Sequence, residues 1–368
     1  MHNTKLLITW LFFILLNLNP QAQTLLKKTD NNILKKILDK TNFNTDLSLY
    51  SFNADSSQVF ALRGGMRIGI AFEGQSNEQF SYYGKMNIFF EEGSFRALND
   101  DSFANANTYG VEEAYFMYKP FQYFYVKAGV ARVFEEHQRL FLDPPGLGSK
   151  INFKPIDYDF FEFDLHAIIN TITTNATQSR TGKLNGSAAY YTILGANAKF
   201  ILDSLDWKIA YRNFSFHDLN SEFAFKSRFR GSSVTGTGEL ASLFTNDYKG
   251  HHISTYVDLK KYYLRPIIKM EYLNNTESGD SGYLFGLTLR TDHFEYKFET
   301  LRNEPDTLPA ALINPYYGGT NREGQVVGVK YLNKDYTIDV DYYAHKTTEA
   351  SPFQDDLNIV FVILTRKL

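Results

Sequence analysis

The segment Phe294-Glu295-Tyr296-Lys297-Phe298-Glu299 alternates aromatic rings with charged side chains, and Tyr336-Thr337-Ile338-Asp339-Val340-Asp341-Tyr342 repeats the alternation. Successive side chains of a β-strand point to opposite faces, so each segment would form a strand with one apolar and one polar face. An amphipathic helix would instead repeat its apolar positions every three or four residues. The two segments therefore predict β-strands.

The same alternation recurs from about residue 44 to the C-terminus, with turn residues between the segments. In the segments 62–73 and 80–91, the apolar side chains share one face and the charged side chains share the other. The charged side chains predicted on that second face are Arg63, Arg67, Glu73, Lys85 and Glu91. Because the pattern covers nearly the whole chain, it predicts an all-β fold.

A soluble β-sandwich also alternates, with its polar face towards water and its apolar face in a shared core. Three features favour a transmembrane antiparallel up-and-down β-barrel instead. The segments are about ten residues long, their polar faces carry charges of both signs, and short and long connections alternate.

The connections also predict the number of strands, because one end of such a barrel has short turns and the other has longer loops. Tight turns are predicted at Lys119-Pro120, Leu202–Leu205, Lys260-Lys261, Thr291-Asp292 and Asn333-Lys334. Longer loops are predicted at 93–106, 171–185, 217–247, 274–280, 304–321 and 347–354. Keeping the two kinds in alternation requires one more strand near 149–157, which gives about 16 strands, with 14 or 18 as alternatives.

Composition excludes several other classes. Aromatic residues make up 16% of the chain, cysteine is absent, the net charge is -3 and the mean hydropathy is -0.32. A helical membrane protein would need repeated apolar runs of about 20 residues, and a nucleic-acid-binding protein usually carries a basic face. Without cysteine, neither a disulfide scaffold nor a thiolate metal site can form.

The N-terminus is typical of a secretory signal peptide. A short polar start with Lys5 precedes the apolar run Leu6–Leu16, and Ala22 lies where a cleavage site belongs. We expect a signal peptide at 1–22, a periplasmic leader at 23–43 and the barrel at 44–368. The leader could form a short amphipathic helix or stay solvated, and a permanently anchored N-terminal helix is the alternative to cleavage.

A barrel of this width leaves an aqueous lumen, so passive diffusion of small polar solutes is the default function. Charged side chains lining the lumen would set its selectivity, and their near balance in sign predicts weak ion selectivity. For any single one of these charges, the simpler interpretation is a solvated lumen residue that pairs with a neighbour. Among the lumen charges, we most expect Arg63 and Arg67 to influence selectivity, because they lie on one face of one strand, next to Lys85 on the paired strand. The pore-lining candidates are Arg63, Arg67, Lys85, Glu91, Lys127, Arg212, Arg265, Lys269, Glu271, Lys297, Glu299, Asp339 and Asp341.

Other functions receive less support. The sequence lacks the dense basic run expected of a phosphate-selective pore, and loop 217–247, with Lys226, Arg228 and Arg230, could form a constriction or lie on the surface. A lipid-hydrolysing barrel would need a nucleophile beside a base, and His251-His252 near Ser254 is better interpreted as a surface histidine pair. We therefore expect no catalytic residue, metal or cofactor. A surface-binding or adhesin anchor with a plugged lumen is the alternative function.

Two segments resemble the outer-membrane porin family, especially porins of the Bacteroidota. Tyr109–Pro120 contains Glu-Ala-Tyr and is followed by Lys127-Ala128-Gly129, and Leu142–Gly148 precedes Phe161-Glu162-Phe163-Asp164. The resemblance covers about residues 60–170 in detail. It implies a barrel of sixteen or so strands in the outer membrane of a Gram-negative bacterium, passive solute diffusion and often a homotrimer.

The implied partners are small polar solutes, outer-membrane lipid and lipopolysaccharide, and the barrel-insertion machinery, but no nucleic acid. Many outer-membrane proteins end in Phe or Tyr, which that machinery reads. This chain ends in Leu368 and departs from the pattern.

Overall fold

A computed structural model of the chain describes residues 41–56, 59–97, 108–133, 138–142, 146–172, 189–238 and 241–368. The signal peptide expected at 1–22 and the leader up to residue 40 lie outside the described residues. Within the described ranges, no helix has the length and apolar character needed to cross a membrane.

The protein is a closed antiparallel β-barrel of 16 strands, so the predicted fold class and strand number are confirmed. Each barrel strand pairs with its neighbours along the chain, and β1 pairs with β18 to close the barrel. Among the described residues, closure leaves the barrel without an unpaired edge strand. The strands are β1 Thr41–Asp55, β2 Val59–Gln75, β3 Phe80–Ala97, β4 Thr108–Phe121, β5 Phe124–Ala131, β6 Gly146–Tyr158, β7 Phe161–Thr171, β8 Tyr190–Leu202, β9 Leu205–His217, the two-residue strands β10 Val234–Thr235 and β11 Leu243–Phe244 outside the barrel, then β12 Lys249–Leu259, β13 Pro266–Asn275, β14 Ser281–Arg290, β15 Phe294–Asn303, β16 Arg322–Leu332, β17 Tyr336–Thr347 and β18 Leu357–Lys367.

Short turns lie at one end of the barrel, the turn end, and most longer loops lie at the other, the loop end. The extra strand expected near 149–157 is β6. The turn predicted at Lys119-Pro120 is wrong by about two residues, because β4 continues to Phe121. Proline lacks the N–H of a regular ladder, and the pairing of β4 with β5 is irregular between Tyr118 and Phe121.

The predicted faces follow from the register of the strands. In β15 the aromatic side chains Phe294, Tyr296 and Phe298 lie exposed on the outer wall, as a lipid-facing surface requires. The intervening Lys297 and Glu299 contact residues inside the barrel. The apolar face of the alternating pattern is thus the outer wall, and the charged face is the lumen.

Folded loops cover part of the loop end. After β9, helix α1 (Ser221–Arg228) begins where the Asn220 side chain accepts the Phe223 N–H at 2.9 Å. Loop 304–321 contains two 3-10 turns, Ala310–Leu312 and Pro315–Tyr317. These loops join inward side chains of the strands in two apolar clusters. The fully buried side chains include Phe141, Ile193, Phe214, Phe223, Leu273, Leu308 and Leu312 in one cluster and Leu140 in the other. A hydrophobic core therefore lies inside the barrel near its loop end.

Candidate functional site in the barrel lumen

The lumen wall formed by β1–β3 carries cross-strand ion pairs. Arg63 Nη1 lies 2.7 Å from a Glu91 carboxylate oxygen, and the Tyr50 hydroxyl donates to the same carboxylate at 2.6 Å. Arg67 Nη2 lies 3.3 Å from the Asp46 carboxylate. The two arginines that the sequence favoured therefore do face the lumen, but each is accompanied by a carboxylate on a neighbouring strand.

A β-bulge extends this arrangement to β4. The register of β3 against β4 shifts after Lys85, which allows the consecutive residues Glu112 and Glu113 both to reach the interior. Glu112 accepts from Lys85 at 2.7 Å and from Arg132 at 2.6 Å. In the register of β2 with β3, Lys85 lies opposite Ala71 and not beside Arg63 or Arg67. The predicted position of Lys85 next to the two arginines is therefore wrong, and Lys85 pairs with Glu112 on β4 instead.

Lys127 on β5 has a different environment. Its Nζ lies 3.9 Å from the centroid of the Tyr115 ring, a cation–π contact. Its direct cross-strand partner on β6 is Lys150. Two cationic side chains therefore stand side by side on the lumen wall.

On the opposite wall the charges are buried beneath loops. Lys269 on β13 pairs with Glu299 on β15, and the Tyr317 hydroxyl from loop 304–321 donates to the same carboxylate. Burial, reinforced by the charge of Glu299, raises the pKa of Tyr317 well above its ordinary value, so the phenol remains a donor. This part of the wall is packed against protein.

A second buried group joins the wall to the segment 138–142, which we call the inner segment. Glu271 accepts the backbone N–H groups of Arg139 at 2.6 Å and Leu140 at 3.1 Å. The carboxylate also lies 3.2 Å from His252 Nε2, and Arg212 Nη1 lies 3.3 Å from Nδ1 of that histidine. The inner segment is therefore held inside the barrel by the wall.

Apolar and amide contacts complete this attachment. The Phe141 ring stacks on His252 with centroids 4.5 Å apart and an angle of 5° between the planes. The Gln138 amide, oriented so that its oxygen faces donors, accepts from Ser254 at 2.9 Å and from Arg212 at 2.7 Å. The position of the inner segment was not predicted from the sequence, although the apolar run Leu140-Phe141-Leu142 within a long loop is a signal of burial.

The remaining candidates lie near the turn end or on β17. Lys297 lies 2.6 Å from Asp341, which also accepts from the Tyr343 hydroxyl at 3.2 Å. Asp339 pairs in register with Lys330 of β16. Arg265 lies in the turn before β13, where its guanidinium contacts Asp258 at 2.8 and 2.5 Å. Arg265 thus lies at the rim rather than within a strand.

Two basic side chains of loop 218–248, Arg228 and Lys226, contact groups of their own loop. Arg228 donates to the carbonyl oxygens of Thr235 at 3.3 Å and Gly236 at 2.5 Å, so it stabilises its own loop. Lys226 lies 3.4 Å from Glu222 on the same helix. The chain that enters the lumen beside β12 and β13 is the inner segment.

His251 and His252 lie on opposite faces of β12. Adjacent strand residues point to opposite faces, so His251 lies on the outer wall, 2.8 Å from the Tyr211 hydroxyl, while His252 is buried inside. The interpretation as a surface histidine pair is therefore wrong. Ser254 bonds to Gln138. The described part of the chain contains no group of three acidic or histidine side chains able to hold a metal ion.

Solved structures with a similar fold include outer-membrane porins. OprB of Pseudomonas putida is 11% identical, with a TM-score of 0.59 over 91% of this chain and 96% of that chain. OmpF of Salmonella typhi is 12% identical, with a TM-score of 0.52 over 89% and 97%. OmpT of Vibrio cholerae, lacking loop L8, is 11% identical, with a TM-score of 0.51 over 89% and 99%. No family model and no curated protein sequence matches the chain. At these identities the likeness shows the porin fold.

Proposed function

We propose that the protein is an outer-membrane porin through which small polar solutes diffuse passively. The observation that carries the proposal is a contrast in exposure between two sets of lumen ion pairs. Arg67 and Asp46 are each 27% exposed and Lys85 is 30% exposed, whereas Glu299, His252 and Glu271 are fully buried. The first set therefore contacts water, and the second set supports the loops.

On the strength of this contrast, the proposed pathway runs off the barrel axis, along β1–β5. Each of Arg63, Arg67 and Lys85 has a carboxylate within reach on a neighbouring strand. Balanced pairs create little net field for ions of either sign, so weak ion selectivity follows for this part of the pathway. No step of bond making or breaking is required.

The proposal includes the setting of the porin in the cell. The exposed apolar outer wall suits an outer membrane and its lipids, including lipopolysaccharide. We extend the proposal to a cleaved signal peptide at 1–22, insertion by the barrel-insertion machinery, a homotrimeric assembly and membership of the Bacteroidota porins. The side chains of the lumen require no cofactor or metal for passive diffusion.

Single-channel recording tests the proposal. Purified, heat-modifiable protein would be reconstituted in a planar bilayer, and conductance and reversal potential would be measured in a salt gradient. We expect stepwise conductance with weak selectivity, and we expect Arg67→Ala with Lys85→Ala to change both. Replacing the outer-wall residue Phe116 with Leu is the control. Folded protein that inserts without conductance would overturn the porin proposal.

A surface-binding anchor is the second candidate, and one observation favours it. Loops 218–248 and 304–321 pack together over the apolar clusters, as when the Ser232 hydroxyl accepts the Ala310 N–H at 3.1 Å. In this second function, the two packed loops form a cap that presents a binding surface and closes the lumen. The same recording distinguishes the two functions, because an anchor with a plugged lumen would insert and remain non-conducting.

A further inference from the structure

The lumen wall of β16 and β17 carries one pair of opposite charges that has not closed into an ion pair. Lys330 and Asp339 lie directly opposite each other on these two strands, and both side chains are partly exposed. The two charges attract each other. Among the described residues, however, neither charged group forms an ion pair or a hydrogen bond, with the other or with any third residue. We call Lys330 and Asp339 the open pair, because each charge is accessible to a solute in the lumen.

The charges next to the open pair already have partners. Arg290 Nε lies 2.6 Å from a Glu295 carboxylate oxygen, and Glu295 is the cross-strand neighbour of Lys330. In the next row Lys297 Nζ lies 2.6 Å from Asp341. Cations and carboxylates are therefore equal in number among these four residues and the open pair. Such a wall suits a solute that carries one charge of each sign better than it suits an anion or a cation.

An apolar surface continues from the open pair across β18 and β1. Ile363 lies opposite Asp339, and in the next row towards the loop end Phe361 lies opposite Phe52. The Tyr316 ring, from loop 304–321, packs on both rings, with centroids 4.9 Å from Phe361 and 5.8 Å from Phe52. All four apolar side chains are partly exposed. We call these four residues the apolar patch, since they keep part of their surface available for contact with a solute.

The open pair and the apolar patch are close enough to contact one small molecule. Phe361 is the diagonal neighbour of Asp339 across β17 and β18. Diagonal neighbours on antiparallel strands are about 7–8 Å apart, within reach of an aromatic side chain. An α-amino acid carries its ammonium group, its carboxylate and its side chain on one carbon atom. It can therefore contact both charges and the patch at once.

We propose that the open pair and the apolar patch form a binding site for α-amino acids with an apolar or aromatic side chain. Asp339 holds the ammonium group and Lys330 holds the carboxylate by charge-assisted hydrogen bonds, while the side chain of the solute packs on Ile363 and Phe361. Asp339 was a pore-lining candidate in the sequence, but its juxtaposition with Lys330 and Ile363 depends on the register of three strands.

The site deepens the proposed function by naming a class of solute, and its physiological role rests on that function. It lies at the edge of the proposed pathway, because β1 belongs both to the pathway and to the apolar patch. Its binding chemistry can be tested without conduction.

The first test compares ligands of the native full-length barrel in detergent by saturation-transfer NMR, with the signal from protein-free micelles subtracted. We expect phenylalanine to bind more tightly than three analogues. These are 3-phenylpropionate, which lacks the ammonium group, phenethylamine, which lacks the carboxylate, and alanine, which lacks the ring. A site built around a polar group of its ligand rejects an analogue without that group. Equal binding of phenylalanine and any one analogue would overturn the proposal.

The second test removes the open pair. Lys330→Gln with Asp339→Asn should weaken phenylalanine binding about tenfold or more, because two charge-assisted contacts are lost. The matched control is Glu162→Gln with Lys199→Gln, which removes a cross-strand ion pair of 3.4 Å on β7 and β8. The control should leave phenylalanine binding unchanged. Equal effects of the two double variants, or no binding by the native protein, would overturn the site.

Single-channel recording of the same samples separates this proposal from the proposed function. A barrel that conducts without binding phenylalanine sinks only the amino-acid site. A barrel that binds phenylalanine at the open pair without conducting supports the site and sinks the pore.

Discussion

The Glu271 carboxylate accepts the backbone N–H of Arg139 at 2.6 Å, although 132 residues separate the two positions in the chain. This contact attaches the inner segment to the lumen wall at β13. The carboxylate is fully buried, and a buried carboxylate is tolerated only with donors around it. Its neighbours, two backbone N–H groups and His252, supply them. The position of the inner segment therefore depends strongly on one side chain.

Glu271→Gln should loosen the inner segment without unfolding the barrel. The amide keeps one acceptor but loses the charge, and a hydrogen bond to a charged group contributes about 1.5–3 kcal/mol. We expect faster hydrogen exchange at the backbone amides of Arg139 and Leu140. We also expect greater open-channel current noise or a larger single-channel conductance. The control is Glu295→Gln, which alters a lumen carboxylate paired with Arg290 near the turn end. Unchanged exchange at both amides would contradict the role of Glu271.

Phe141→Ala should destabilise the same segment through packing. The ring is buried between His252 and Phe214, whose ring centroid lies 5.6 Å away. Removing a buried Phe side chain costs about 3–5 kcal/mol when the cavity cannot collapse. We expect faster hydrogen exchange at Leu142 and a lower temperature of the heat-modifiability transition.

Phe116→Ala is the comparison for Phe141→Ala. Phe116 lies on the outer wall, where its side chain is 71% exposed and its loss leaves no internal cavity. Phe116→Ala should therefore lower the temperature of the heat-modifiability transition less than Phe141→Ala does. An equal shift for the two variants would show that Phe141 contributes no more than a surface ring.

The contacts of Asp306 predict how the loops of the cap depend on one another. Its carboxylate accepts the Ser233 N–H at 2.8 Å, the Asn246 amide at 2.9 Å and the Tyr248 hydroxyl at 3.1 Å. Asp306→Asn should weaken all three contacts by removing the charge, so we expect faster proteolysis within 218–248. Asp292→Asn, in a turn at the opposite end, is the control. Equal proteolysis rates in the two variants would show that the cap does not depend on Asp306.

The sequence predicted the strands and their faces because period two is a local property. In β15, for example, alternation alone assigned Lys297 to the lumen and Phe298 to the lipid face. The partner of each lumen charge depends instead on register between strands. The bulge after Lys85, which brings Glu112 and Glu113 to one face, follows from the pairing of β3 with β4 and left no clear mark in either segment alone.

The inner segment was missed for a related physical reason. Its contacts with Glu271 and Ser254 join parts of the chain that are more than 100 residues apart. No local periodicity encodes such a contact. The apolar run Leu140-Phe141-Leu142 could have indicated burial, but not the wall against which it packs.

The proposed off-axis pathway predicts where a thiol reagent can act. The chain has no cysteine, so each introduced thiol is the only one present. Lys85→Cys places a thiol at a partly exposed lumen position on β3. Ser254→Cys places a thiol at a buried position beside Gln138, where cysteine is close in size to the serine that it replaces. A cationic methanethiosulfonate reagent should reduce the conductance of open Lys85→Cys channels in steps. It should leave Ser254→Cys channels unchanged, because the inner segment blocks access. Reaction at Ser254→Cys as fast as at Lys85→Cys would show that water reaches β12 freely and that the pathway is central.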